Sequence, residues 1–131
     1  MIQPALRARL LANSTVAAMA GTRVDWDWRQ QGKGLPAVTL QIVSDPRPQH
    51  MDGNQVTRMT LVRAHCWAET ASGAANLAEA VIATLVPAAD QGAVRFLRSF
   101  ATLRGSDEET TPTGIVHRQI VDLEVWHTPI P

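Results

Sequence analysis

Apolar residues recur at helical spacing from Pro4 to Ala20, where Leu6, Leu10 and Ala17 can share one stripe with Leu11 beside them. Arg7 and Arg9 then fall away from that stripe or on its margin. Pro4 suits a first-turn position, where its missing N–H costs nothing, and Gly21 stands where helices commonly end. The pattern then becomes two-fold. Over Leu35–Ser44, Val38, Leu40 and Ile42 face one way and Thr39 and Gln41 the other. Val56–Trp67 predicts a second strand, with Met59, Leu61, Arg63, His65 and Trp67 on one face and Val62, Ala64 and Cys66 on the other. Both faces are partly apolar, which fits a strand with one face covered by a neighbouring subunit. Ser72 is placed to cap an Ala-rich helix that carries Leu77, Val81 and Leu85 in line and stops at Pro87. Its small residues, Ala74, Ala75, Ala78 and Ala80, suit close packing on a sheet. Ala93–Leu103 predicts a third strand through Val94, Phe96 and Phe100. Ile115–His127 predicts a fourth, where Val121, Leu123 and Val125 alternate with Asp122 and Glu124. Its phase changes near Ile120–Val121, as a bulge or a strand covered on both faces would produce.

Three stretches break these patterns. Arg23–Gly34 reads as an irregular arm, Asp45–Gln55 as a long hairpin loop with two prolines, and Gly105–Thr113 as a polar, acidic loop. The element order is helix, strand, strand, helix, strand, strand. It predicts one α+β domain over residues 1–131, with two helices packed on one face of a four-stranded, mostly antiparallel sheet.

A chain of 131 residues fits one domain with its own core. Twelve cationic and twelve acidic side chains cancel, so there is no basic excess of the kind that grips a nucleic-acid backbone. Eleven of the twelve cations are Arg, with Lys33 alone; that bias and the near-zero charge lean towards association. Cys66 is the only cysteine, which excludes an intrachain disulfide and a thiolate cluster. The opening MIQPALRARLL lacks a basic region followed by a long apolar run, so no signal peptide is expected. No segment approaches the ~20 apolar residues of a membrane span.

Candidate chemistry is thin. His65 and Cys66 are strand neighbours and point to opposite faces, while His117 and His127 lie ten residues apart and His50 sits in a loop. No H-x-x-x-H or C-x-x-C spacing, nucleophile elbow or phosphate loop is present, so neither a metal, a cofactor nor a catalytic set is expected. Asp107, Glu108 and Glu109 are either solvated or a negative loop that lines a pore or meets a neighbour's Arg residues. Cys66 reads as a small buried hydrophobe. Trp67 and Trp126 read as caps on the core at the sheet's end. Trp26 and Trp28, two apart in the arm, either cover the core edge or act with Arg29 as subunit-interface anchors, since Trp and Arg dominate such contacts.

Four segments, in order, resemble the tail-completion family of long-tailed phages and prophages, which includes tail-terminator and tail-to-head-joining proteins. They are ALRARLLANSTVAAMAGTRV, GLPAVTLQIVSDPRPQH, VRAHCWAETASGAANLAEAVIATL and TGIVHRQIVDLEVWH, and together they span nearly the whole chain. The arm departs from the family, which more often shows an aromatic-Pro segment where this chain has DWDW. The resemblance implies a structural virion protein at the head-proximal end of the tail, assembled in the bacterial cytoplasm. It implies a ring, usually hexameric, that caps the tail tube, stops its polymerisation and presents a surface to the head connector or stopper. Genomic DNA would pass through the lumen without sequence-specific binding. On that reading the two long loops are the contacts to tube and connector, through Arg47, Gln49, His50, Met51, Asp52, Asp107, Glu108 and Glu109. A head-side stopper or adaptor ring is the alternative within the same class. A small α+β ligand-binding module is the alternative outside it.

Overall fold

The first helical pattern folds as two helices, because Asn13 interrupts it. The computed structural model describes residues 2–29, 34–47, 49–50, 53–54, 56–112 and 114–131. Helix α1 spans Gln3–Ala12 and α2 spans Ser14–Ala20. Asn13 adopts an extended conformation between them, and its side chain accepts the N–H groups of Thr15 and Val16, which makes it the N-cap of α2. The break resets the helical phase. Leu6 and Leu10 are buried as expected, but α2 buries Val16 and Ala20 and leaves Ala17 exposed. Arg9 also departs from its expected outward position. It is buried, donates to the carbonyls of Leu85 and Pro87, and lies over the Phe96 ring. A guanidinium there serves carbonyls at and just beyond the end of the helix that finishes at Leu85.

Strand β1, Val24–Trp26, pairs in parallel with β2, Ala37–Ser44. A short pair, β3 at Gln49–His50 and β4 at Gly53–Asn54, forms a separate two-stranded ladder. Strand β5, Arg58–Ala68, runs antiparallel to β2, and α3, Ala71–Leu85, follows it. Thr70, rather than Ser72, caps α3 by accepting the Gly73 N–H. Then come β6, Ala89–Gln91; β7, Val94–Phe96; β8, Phe100–Thr111; and β9, Gly114–Pro129. Among the described residues the main sheet has seven strands in place of the four expected, and three helices replace two. Its order is β1-β2-β5-β9-β7-β6, with β8 also paired to β9.

The extra strands come from two sources. The expected third strand splits where Leu97–Ser99 leave the ladder; β7 and β8 then lie end to end along β9. The Gly105–Thr113 stretch is not a loop up to Thr111: β8 continues through it, paired with β9 as far as Thr111 opposite Gly114. The expected irregularity near Ile120–Val121 is present on the partner strand. Leu103 faces Val121 and Gly105 faces Ile120, so Arg104 is the extra residue of a bulge. Gly105, at φ 146, takes a backbone conformation beside it that other residues rarely adopt.

All three helices pack on one side of the sheet. Val38, Leu40, Val62, Ala64, Cys66, Val121, Leu123 and Val125 meet Leu6, Leu10, Val16, Leu77, Val81 and Leu85 there. Cys66 is fully buried and its thiol is pushed up to about 12 by desolvation, which keeps it a small apolar side chain. Among the described residues no helix is long and apolar enough to cross a membrane.

Candidate functional site

Among the described residues no helix lies over the side chains on the other face of the sheet. Direct cross-strand partners share a face. Registers Thr39↔His65, Gln41↔Arg63, Arg63↔Asp122, Trp67↔Arg118 and Met59↔Trp126 therefore place all of these residues on that face. Asp107, opposite Arg118, and Phe100, opposite Glu124, extend it across β8.

One end of this face is built from ion pairs around an indole. Arg63 meets Asp122 in a two-point contact, Nε to Oδ1 at 2.8 Å and Nη2 to Oδ2 at 3.1 Å. Arg104, displaced by the bulge, reaches the same carboxylate at 3.4 Å. Arg118 holds Asp107 through both carboxylate oxygens, which lowers the Asp107 pKa. The guanidiniums of Arg29 and Arg118 each lie over the Trp67 ring, 5.1 Å from its centroid. Trp67 Nε1 donates to Thr39 Oγ1 at 3.0 Å, and His65 stacks beside the indole. Burial, then Arg118 and Arg63, keep His65 below its ordinary pKa. Arg118 Nη1 lies 3.5 Å from His65 Nδ1; this places a donor opposite a ring nitrogen that accepts.

The other end carries more apolar area, with the exposed acid Glu124 between Leu61 and Phe100. Met59 and Trp126 face each other across β5 and β9, Leu61 follows, and Phe100 lies on β8. Phe100 is 58% exposed and Trp126 38% exposed, large values for aromatic side chains. Trp67 and Trp126 are thus not caps on the core. Both stand on the face away from it, because their strand positions have the opposite parity to Cys66 and Val125.

A third feature anchors the root of the 45–55 segment. Thr60 Oγ1 donates to Asp45 Oδ1 at 3.0 Å and lies 2.9 Å from His127 Nε2. With Asp45 ionised, the single hydroxyl proton is used, so His127 must carry its proton on Nε2 and donate to Thr60. Burial, then Arg58, lowers the His127 pKa and favours that neutral ring. Arg47 pairs with the same carboxylate at 2.8 Å.

The chain matches the model of the family "Tail completion protein gp17" over residues 4–128. It belongs to that family. No curated protein matches its sequence. Among solved structures it is similar to a chain of "Virion of native gene transfer agent (GTA) particle", at 20% identity and a TM-score of 0.67, covering 98% of this chain and 93% of that one. At that identity the likeness shows the fold alone. Membership makes the chain a structural component of a phage-type tail.

For a tail completion protein, surfaces matter more than reacting groups, and the expected contact residues distribute as follows. Arg47 stands exposed at the root of its loop. Gln49 and His50 form β3, paired to Asn54 and Gly53, while Met51 and Asp52 lie outside the described residues. Asp107 is tied to Arg118, Glu108 lies 3.9 Å from His117, and Glu109 sits opposite Val116 near the hairpin end. The two segments leave opposite ends of β9: Asp45 and Thr60 lie by His127, Asp107 by Arg118. The arm residues separate. Trp26 is half-buried and donates to Gln3 O, at the core edge; Trp28 is 67% exposed; Arg29 reaches across to Trp67. Asp27, at φ 72, breaks the extended chain and puts the two indoles in different settings. Arg63, Arg118 and Asp122 are members of the face that the sequence did not single out, and Trp67 was read there as a cap on the core. Their signal was present as i, i+2 alternation of Arg63, His65 and Trp67, and of Arg118, Ile120 and Asp122, but the register that pairs them was not.

Proposed function

We propose that this protein caps the head-proximal end of the tail tube as a ring of six copies, stops tube polymerisation and presents the docking surface for the head connector. The observation that carries the reading is the helix-free face of the sheet, apolar at the Phe100–Trp126 end and ion-paired at the Trp67–Arg118 end. In the ring the helices face outward and this face turns to the central channel. The apolar end meets the tube, since exposed aromatics of this size serve contact rather than folding. The ion-paired end borders the path of the DNA. Arg63 and Arg104 share the Asp122 carboxylate and Arg118 holds Asp107, so much of the positive charge facing a passing phosphate backbone is already neutralised. Arg47, Gln49, His50, Met51 and Asp52 at one end, and Asp107, Glu108 and Glu109 at the other, contact tube and connector. Trp28 and Arg29 lie at the subunit boundary, with Trp26 behind them. No bond is made or broken in this role, and it needs no cofactor.

Electron microscopy of the purified protein, alone and with tail tubes, tests the proposal. The expected result is a ring on one end of each tube and tubes that no longer lengthen. Protein that stays monomeric in both conditions and leaves tubes growing would overturn it. Rings that bind only the head portal would transfer the role to the head-side stopper.

A further inference from the structure

We infer that the tube presents an arginine to Glu124, whose carboxylate it pairs with while its guanidinium lies against the rings of Phe100 and Trp126. The inference rests on the reading that this end of the sheet meets the tube, and it names the chemistry of the tube surface.

The carboxylates that β8 and β9 turn to the helix-free face are Asp107, Glu109, Asp122 and Glu124. Asp107 holds Arg118, and Asp122 is shared by Arg63 and Arg104. Arg118 has its pKa raised first by the Asp107 hydrogen bond and, more weakly, by the charge of Glu109. Glu124 differs from these three. Among the described residues no cation pairs with it. It is exposed, and its cross-strand neighbours are Leu61 on one side and Phe100 on the other. Trp126 follows two residues along the same strand on the same face, roughly 7 Å away.

In water an unpaired carboxylate is well solvated; under a partner it is not. A surface that covers both Phe100 and Trp126 also covers Glu124, because the acid shares a row with the first and stands beside the second. Taking that carboxylate out of water carries a large penalty, which an opposite charge at hydrogen-bonding distance offsets. A phosphate backbone does not fit here, since Glu124 repels it.

The surroundings favour a guanidinium over an ammonium. Its plane can stack on a ring while its fork of N–H groups meets both carboxylate oxygens. The far end of the same face already holds this arrangement within one chain: Arg118 lies over the Trp67 ring and binds both oxygens of Asp107. Glu124 and Trp126 supply the carboxylate and the indole a second time, without an arginine of their own. The arginines nearby are engaged elsewhere. Arg63 gives Nε and Nη2 to Asp122, Arg104 reaches the same carboxylate, and Arg95 pairs with Asp90.

The test is capping of tail tubes by Glu124→Gln, scored by electron microscopy as the protein concentration at which half of the tube ends are closed. The expected result is a rise of about tenfold or more over wild type. Glu124→Arg should abolish capping, and replacing one exposed tube arginine by glutamate should restore it. Both variants should keep the wild-type unfolding midpoint, because the exposed carboxylate has no partner to lose. Glu124→Gln protein that caps tubes as well as wild type, or better, overturns the inference and leaves the acid as a solvated group that keeps the aromatic patch soluble; the tube reading then stands. Failure of every tube arginine variant to restore capping by Glu124→Arg overturns the pairing as well. Loss of rings by Glu124→Gln in the absence of tubes assigns the cation to a neighbouring copy and overturns the tube contact. Wild-type protein that leaves tubes uncapped overturns the tube reading itself.

Discussion

The two faces of β5 make a controlled comparison, since they share one backbone. Thr60, Val62, Ala64, Cys66 and Ala68 are buried under the helices, while Met59, Leu61, Arg63, His65 and Trp67 remain half-buried on the other side. On the helix side, stability comes from close packing of aliphatic groups, and the one polar residue is fully bonded. On the helix-free side, one indole, four guanidiniums and two carboxylates stack on and pair with each other in a layer one residue thick. A domain that only had to fold would have no reason to leave aromatic area there. The difference shows how one strand can hold the core with one set of residues and leave the alternate set available for contact.

Mutations on the two faces should therefore separate folding from assembly. Leu123→Ala, on the helix side, should cost about 2–5 kcal/mol in urea unfolding; Leu61→Ala should cost less than half as much, and equal losses would erase the contrast. Thr60→Val should cost roughly 1–3 kcal/mol, because it strands the His127 N–H in a buried place and leaves Asp45 with Arg47 alone. Asp122→Ala, on the open face, should cost only about 1 kcal/mol, and the loss should shrink in high salt.

Acid should act on both faces, in two windows. His127 and His65 both have pKa values below the ordinary 6.5 in the folded chain. The unfolded chain therefore binds more protons below about pH 6.5, so this stability is complete above that value and falls as pH drops through the lowered ones. Asp107, lowered from 3.8 beside Arg118, adds its loss only at more acid pH. Unfolding midpoints across pH 4–7, on the order of this first window, should flatten in His127→Gln; an unchanged slope would remove His127 from the account. The smallest effect on stability is expected for Phe100→Ser with Trp126→Ser, within about 0.5 kcal/mol per site. The same variant should lose capping of tubes, and rings that still cap them would take the apolar end out of the contact.

Much of this was legible in the sequence. Period-two alternation located β2, β5 and most of β9, and the Val38, Leu40, Val62 and Val121 face is the buried one. Leu77, Val81 and Leu85 marked the buried line of α3. Gly21 marked the end of the first helical region, where it takes φ 59. Asn13 was legible in principle as a cap, but the apolar spacing around it also fits an unbroken helix. Arg9 was misplaced because its role depends on carbonyls 76 and 78 residues away. For the candidate site, Trp67, Arg63 and Asp122 each had a visible face; the ladder that pairs them is a long-range fact.

The sequence by itself determined the class of fold, the buried side of β2 and of the Val121–Val125 stretch of β9, and the resemblance that led to the family; it put Phe96 and Phe100 on one line, whereas the break between β7 and β8 buries the first and exposes the second on the other face. The tertiary structure decided what local patterning does not encode. β8 through Asp107–Thr111 is a strand because β9 supplies its hydrogen-bond partners, not because its side chains alternate in polarity. Short β1, β6 and β7 likewise exist only as additions to a ladder already formed. A strand buried on one face leaves its pattern in the chain, since burial selects side chains; a strand at a solvated edge is selected by backbone pairing, which any residue but proline can make.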